Sequence, residues 1–258
     1  MNYPRYDFSG HRVTVAGGTA GTGLAVAHAF ADTGAEVTVT GAQHLTGFYD
    51  ADLTRFRYRQ LALDHPEAIA EFAARSERTD VLVLAAAPEL PRHLGAADLE
   101  FVVEASRLGL VGPLQLVRRL RDALAASAAQ GGGAVVCTRA TTGWWALQPP
   151  GDAVDAADVE RVAEAADAAL VAAVGALAAS VRRHGVRVNA CLTSPRVEQG
   201  YHVQIGRRAP HTSGTLLTRP RRVRGSLGES TRAAVVDTVQ FLASAGAAGI
   251  TGQTLRVG

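Results

Sequence analysis

Apolar residues in this chain fall into two patterns. Short, nearly solid apolar runs predict strands at about 12–16, 36–40, 56–63, 80–85, 134–138, 186–192 and 253–257. Longer stretches with apolar residues every three or four positions predict helices at about 22–33, 64–75, 98–128, 155–184 and 229–245. The run at 80–85 is apolar on both sides, as a strand covered by helices on both faces must be. Gly34 and Gly185 close two helices as C′ glycines. Asp64 with Glu67 three residues on reads as a capping box. Gly109, Gly112 and Pro113 predict a bend in the long helix at 98–128, and three glycines at 131–133 end it. Residues 193–226 are irregular and rich in arginine. Seven strands thus alternate with helices, with no linker or repeat. Right-handed crossovers then give one α/β domain over 1–258, a doubly wound seven-stranded parallel sheet with helices on both faces.

The first strand-to-helix junction sharpens this. Val13 to Leu24 reads VTVAGGTAGTGL: a β-branched run, a glycine-rich turn, then a helix start. That order is the phosphate-binding unit of a Rossmann-type fold. Gly17 allows the tight turn, Gly21 lets a pyrophosphate approach the backbone, and Gly23 lets the helix pack on the strand. The opening amides of the helix, with Thr19 in the turn, face that phosphate.

Composition narrows the partners. With 258 residues, 47% of them hydrophobic, the chain can bury a full core, and a net charge of +2 does not call for nucleic acid. No apolar run is long enough to span a bilayer, and MNYPRYDFSG is neither a signal nor a transit peptide. Cys137 and Cys191 each lie in a buried-strand run, which suits a reducing compartment without a disulfide. A soluble, cytoplasmic protein is expected. All 26 basic residues are arginine, so no chemical step here can use a lysine ammonium.

The spacing Gly17-x-x-x-Gly21-x-Gly23, close to the start of a chain of this length, resembles the short-chain dehydrogenase/reductase (SDR) family, with Ala16 where that family has Thr. HGVRVNA (184–190), FLAS (241–244) and ITGQTLRVG (250–258) match its later segments, so the resemblance covers nearly the whole chain. It implies an Asn, a Ser and a Tyr-x-x-x-Lys pair, in which the tyrosine is the general acid/base and the lysine lowers its pKa. Position by position, that set is missing. The Asn falls on Gly109 in GLVGP (109–113), and the Ser on Ala140 in CTRATTG (137–143). Counting back from Val188-Asn189 puts the Tyr and Lys on Ala163 and Asp167. Counting forward from Ala140 puts them on Ala153 and Ala157. The ten-residue difference marks an insertion. The tyrosines stand at 3, 6, 49, 58 and 201, none near this helix in sequence.

The side chains that select the nucleotide are also depleted. The resemblance implies an acid at the end of strand two for NAD, or a basic residue just beyond it for NADP. Here TGAQH (40–44) puts Ala42 at the basic position, Ala20 lies in the turn, and His44 reads as a solvated loop residue. The adenine-contacting Asp falls on Ala62, with Asp64 read as a helix cap, and LAAA (84–87) replaces Asn-Asn-Ala-Gly. The cofactor is therefore left open: Gly17, Thr19, Gly21 and Gly23 can hold NAD(P), but the rest of its site is eroded.

Other residues are candidates to replace the lost chemistry. Asp167 precedes the apolar stripe Leu170, Val171, Val174, Leu177, Ala178 and Val181. It is therefore read either as a desolvated acid/base or ribose acceptor, or as a wet acid favoured by the helix dipole. Arg139 is placed to bind a carboxylate or polarise a carbonyl, or to form a surface ion pair; Thr138 and Thr141 lie beside it. Trp144 and Trp145 border the family's substrate pocket or plug the core below it. The segment 196–224 corresponds to the substrate lid. Its seven arginines, Tyr201, His202 and His211 suit an anionic or carrier-protein-bound substrate, or simply a solvated lid. His93 lies in the loop after strand four, either lining the cleft or exposed. The small-residue helix face at 165–180 implies, by resemblance, a homo-oligomer (dimer or tetramer).

Three functions follow as expectations. The first is a non-redox enzyme acting on a largely apolar small molecule by cyclisation, dehydration or isomerisation, in natural-product biosynthesis. It would use Asp167, Arg139, Thr141 and His202, with Trp144, Trp145, Tyr201 and His93 shaping the pocket. The second is a non-catalytic partner that forms a hetero-oligomer with an active SDR, or a nucleotide sensor. The third is an NAD(P)H-dependent oxidoreductase with a non-standard proton donor. No membrane, metal or nucleic-acid role is expected.

Overall fold

The computed structural model describes residues 6–86, 107–140, 156–193 and 229–257, with the side chains of 139–140, 156–166 and 229–230 outside the description. Seven strands form one parallel sheet in the order β3-β2-β1-β4-β5-β6-β7. They are β1 Arg12–Ala16, β2 Glu36–Gly41, β3 Arg57–Gln60, β4 Val81–Leu84, β5 Gly133–Ala140, β6 Val186–Thr193 and β7 Thr254–Val257. The chain runs outward from β1 to β3, returns to β4 beside β1, and runs outward again. The switch of direction between β1 and β4 creates the crevice at which ligands of such sheets sit.

Among the described residues the α-helices are α1 Gly21–Asp32, α2 Pro66–Ala74, α3 Gly112–Arg119, α4 Arg121–Ala125, α5 Ala156–Val181 and α6 Glu229–Ala243. One face of the sheet buries Leu82, Leu84, Val135, Cys137, Val188 and Leu192 against α2 to α5. The other buries Val13, Val15, Val39, Val83, Val136 and Cys191 against α1 and α6. The two cysteines therefore lie on opposite faces, and no disulfide can join them. Burial pushes each thiol up to about 12, although a Thr238 hydrogen bond opposes this slightly at Cys191. Among the described residues no helix is long and apolar enough to cross a membrane.

Several expectations shift for local reasons. Asp64 does not cap α2. Pro66 at the first helical position sets the start after His65, and the Asp64 carboxylate instead pairs with the His65 ring at 2.9 Å. β3 is shorter than its apolar run, because among the described residues it pairs with β2 alone, and β2 ends at Gly41 opposite Gln60. The long bent helix is broken rather than merely curved. A π-helical turn at Arg107–Val111 precedes Gly112 and Pro113, and a second break at Leu120 separates α3 from α4. Pro113 has no N–H to give the preceding turn, which the π-turn accommodates. Residues 98–106, the insertion at 141–155 and the segment 194–228 lie outside the described residues.

The N-terminal ends of the strands are held by buried charge. The Asp80 carboxylate accepts hydrogen bonds from the Arg12 backbone N–H (2.8 Å), Ser127 Oγ (2.6 Å), the Ala128 N–H (3.1 Å) and Arg78 Nε (3.1 Å), and pairs with Arg78 Nη2 at 2.9 Å. Burial alone would raise this carboxyl, but those donors and the Arg78 charge outweigh it and hold it below its ordinary value. Arg187, buried on β6, donates to five carbonyls: Gly131, Leu242, Ala243, Ser244 and Ala247, at 2.7–3.3 Å. Four of these belong to the C-terminus of α6 and the turn after it. The guanidinium thus meets the orphan carbonyls and the negative end of the helix dipole.

Candidate functional site

The site is built where β1 turns into α1. The Gly17 N–H donates to Thr40 O (3.1 Å) and the Ala85 N–H to Ala16 O (2.8 Å), tying the turn to β2 and to the end of β4. Gly17 has φ +82° and lies against the Ala86 backbone, so any side chain there would collide with it. Gly23 sits against the Gly17 carbonyl in the same way. Gly21, at φ +55°, opens onto free space instead. Ala20 precedes the helix and supplies no side-chain cap, and the first turn carries no acid. The opening amides are thus left for an external acceptor. This is a sound cradle for a phosphate or pyrophosphate.

Around the cradle, polar side chains are few among the described residues. The Asn position, Gly109, lies in the π-turn, and a side chain there would meet open space. The Ser position, Ala140, is the last residue of β5. Thr138 Oγ1 donates to Leu84 O at 3.2 Å, bridging the ends of β5 and β4. Gly41 ends β2, where the acid of an NAD site would stand. Against it lies Tyr49, whose hydroxyl is 3.2 Å from that of Tyr58 on β3. His44 is exposed, as expected, with its ring 5.1 Å from Phe48.

Asp167 is buried on α5, as the apolar stripe predicts, and the alternative of a wet acid does not hold. Its Oδ2 lies 3.3 Å from Nη1 of Arg256 on β7. The arginine compensates the buried charge and draws the carboxylate toward the sheet edge. β7 lies four strand spacings from β1, about 19 Å at about 4.8 Å each. Arg139 lies on β5, with its side chain outside the description. Thr141, His202, Trp144, Trp145, Tyr201 and His93 lie outside the described residues altogether. The structure thus brings Gly17, Thr19, Gly21 and Gly23 together in one turn and places Asp167 on α5, paired with Arg256 of the edge strand β7.

Sequence reasoning missed Tyr49 and Tyr58. Neither belongs to a motif, and their contact follows from the β2–β3 register, which sets Tyr58 beside Val39. The only signal available was a tyrosine in the loop and another in the edge strand that follows it.

Solved structures share this fold. A short chain dehydrogenase/reductase family protein is 25% identical with a TM-score of 0.67, covering 98% of this chain and 97% of that one. A candidate betaketoacyl-ACP reductase is 25% identical with a TM-score of 0.66, covering 97% of both. The chain is thus similar over nearly its whole length to short-chain dehydrogenases/reductases and shares their fold. A third neighbour, ribose-5-phosphate isomerase from Brucella melitensis 16M, is 22% identical at TM-score 0.67, covering 97% of this chain and 91% of that one, and shares the fold. No protein-family model matches the sequence, and no curated protein does. The backbone is thus shared with these proteins while the sequence matches no family model.

The SDR fold implies a nicotinamide dinucleotide, and the residues present fit only part of one. The glycine cradle fits the pyrophosphate. The adenosine side has Gly41, Ala42 and a tyrosine hydroxyl in place of an acid or arginine, and the chain has no lysine for the nicotinamide ribose. The fit to an intact dinucleotide fails at both ends.

Proposed function

We propose that this SDR-fold chain is an enzyme that does not transfer hydride. It carries out a cyclisation, dehydration or isomerisation on a largely apolar small molecule, in the biosynthesis of a natural product. The observation that carries the reading is the absence of lysine from all 258 positions, joined to glycine and alanine at the Asn and Ser positions. The family's proton relay needs a cation beside its tyrosine, and this sequence offers no lysine for that place. Non-redox steps need only acid/base and polarising groups in a cleft that excludes water. Asp167, Arg139, Thr141 and His202 are assigned those roles, with Trp144, Trp145, Tyr201 and His93 lining the pocket. An anionic or carrier-bound substrate suits the arginines of 196–224. The working form is a homo-oligomer in the cytoplasm.

The purified chain is incubated with small-molecule extract, with and without NADH or NADPH, and products are followed by mass spectrometry. The expected products are isomeric with a substrate or lighter by one water, and form at the same rate without dinucleotide. A product that gains or loses two hydrogens only when dinucleotide is added overturns the reading. Asp167→Ala is expected to abolish the dinucleotide-independent conversion, and an unchanged rate removes Asp167 from the mechanism.

A further inference from the structure

The tyrosine pair at the end of β2 belongs to no motif and has no part in the proposed reaction, yet it stands at a decisive point. In doubly wound sheets the space beyond this strand end receives the ribose that follows the pyrophosphate. Here Tyr49 enters that space from the side. It follows the one-turn helix Thr46–Phe48 and lays its hydroxyl over Gly41. A Cβ built on Gly41 would strike that hydroxyl, with Tyr49 Cζ at 2.8 Å and Thr19 Cγ2 at 3.0 Å. The phenol thus fills the space a side chain on Gly41 would need, with Thr19 of the glycine turn on that same space.

It is also tied in place. The Gln43 backbone N–H donates to Tyr49 Oη at 3.0 Å. Tyr58 Oη is positioned to donate to Gly41 O at 3.0 Å and to Gln43 O. Burial, then the hydrogen bond and proximity of Tyr49, push the Tyr58 phenol up, so it stays protonated at neutral pH. With the Tyr58 proton on a carbonyl, the proton in the 3.2 Å contact between the phenols comes from Tyr49. Both phenolic hydrogens are then taken up by the protein. Gln60 adds a further tie, its Nε2 donating to Ala42 O at 2.9 Å. A ribose arriving here would find both phenolic hydrogens already engaged, and the ring would lie over the strand end.

We propose that Tyr49 and Tyr58 form a latch that closes the adenosine side of the glycine turn. A dinucleotide enters only when the latch opens, and its apparent affinity is reduced by the closed fraction. The latch does not rest on the reaction proposed above. Hydride transfer would overturn that reaction without touching the latch, and loss of the latch would leave the reaction standing.

The test is a fluorescence titration of the full chain with NADH and with NADPH, comparing wild type, Tyr49→Ala and Tyr58→Phe. Tyr49→Ala removes the wedge; Tyr58→Phe removes only the hydroxyl that ties it. Kd is expected to fall at least about ten-fold in Tyr49→Ala and about three-fold in Tyr58→Phe, with circular dichroism unchanged. Equal Kd in all three proteins, tighter binding by the wild type, or no binding by any of them overturns the latch. Should Tyr49→Ala fail to fold, Tyr58→Phe keeps every ring in place and decides alone.

Discussion

The two ends of the sheet carry opposite inventories. At the N-terminal ends of the strands, Asp80 and Arg187 are buried charges, each meeting several partners. At the C-terminal ends, where ligands of this architecture bind, the described positions include Gly17, Gly41, Ala85, Ala86, Thr138 and Thr193, with two phenols bonded to each other and Asp167 paired with Arg256 of the edge strand β7. Perturbed, buried ionisable groups often mark function. Here the most densely bonded ones lie at the opposite edge and hold the fold. The lesson is that the densest buried polar bonding of this backbone sits at its lower edge, the N-terminal ends of its strands, away from the glycine turn at its upper edge.

The comparison can be broken from the lower edge first. Arg187→Met strands five carbonyls, four of them at the end of α6 and the turn after it, and is expected to cost about 3–5 kcal/mol in urea unfolding. A loss under about 1 kcal/mol would show that this edge is not the anchor. Asp80→Asn is expected to cost about 2–4 kcal/mol at neutral pH. The folded carboxyl is held below its unfolded value. Its contribution is therefore complete above the unfolded pKa of about 3.9 and lost as pH falls through the lower folded value. The stability gap between wild type and Asp80→Asn is expected to narrow on acidification below about pH 4; a gap that stays constant would contradict the assignment.

The upper edge sharpens the contrast with smaller effects. Gly17→Ala forces a side chain into the Ala86 backbone at φ +82° and is expected to cost about 2–3 kcal/mol. Gly21→Ala meets open space, so only its positive φ opposes the change and the cost is about 1 kcal/mol. Equal losses in the two variants would mean the turn is not packed as described. Least of all, the thiols of Cys137 and Cys191 are expected to resist a disulfide reagent at pH 8 in the native protein and to react once unfolded.

Much of the fold was legible because strand and helix periods are local. The glycine turn was legible because φ and close approach allow one residue type. What failed was long-range or competitive. Asp167 and Arg256 lie 89 residues apart, and no local pattern announces their pairing. The capping box at Asp64 lost to Pro66, whose fixed φ is a stronger start signal than a side-chain acceptor. The tail of β3 was apolar, but β2 ends at Gly41 and offers it only the Gly41 carbonyl, which accepts from the Leu61 N–H. The tyrosine latch needed the β2–β3 register before two unrelated residues became one feature.

The account rests most directly on a stripped dinucleotide site around an intact cradle. Calorimetric titration of the purified wild-type chain with NAD, NADH, NADP and NADPH tests it. The account predicts no form binding more tightly than about 1 mM, and micromolar binding of any one form would contradict it.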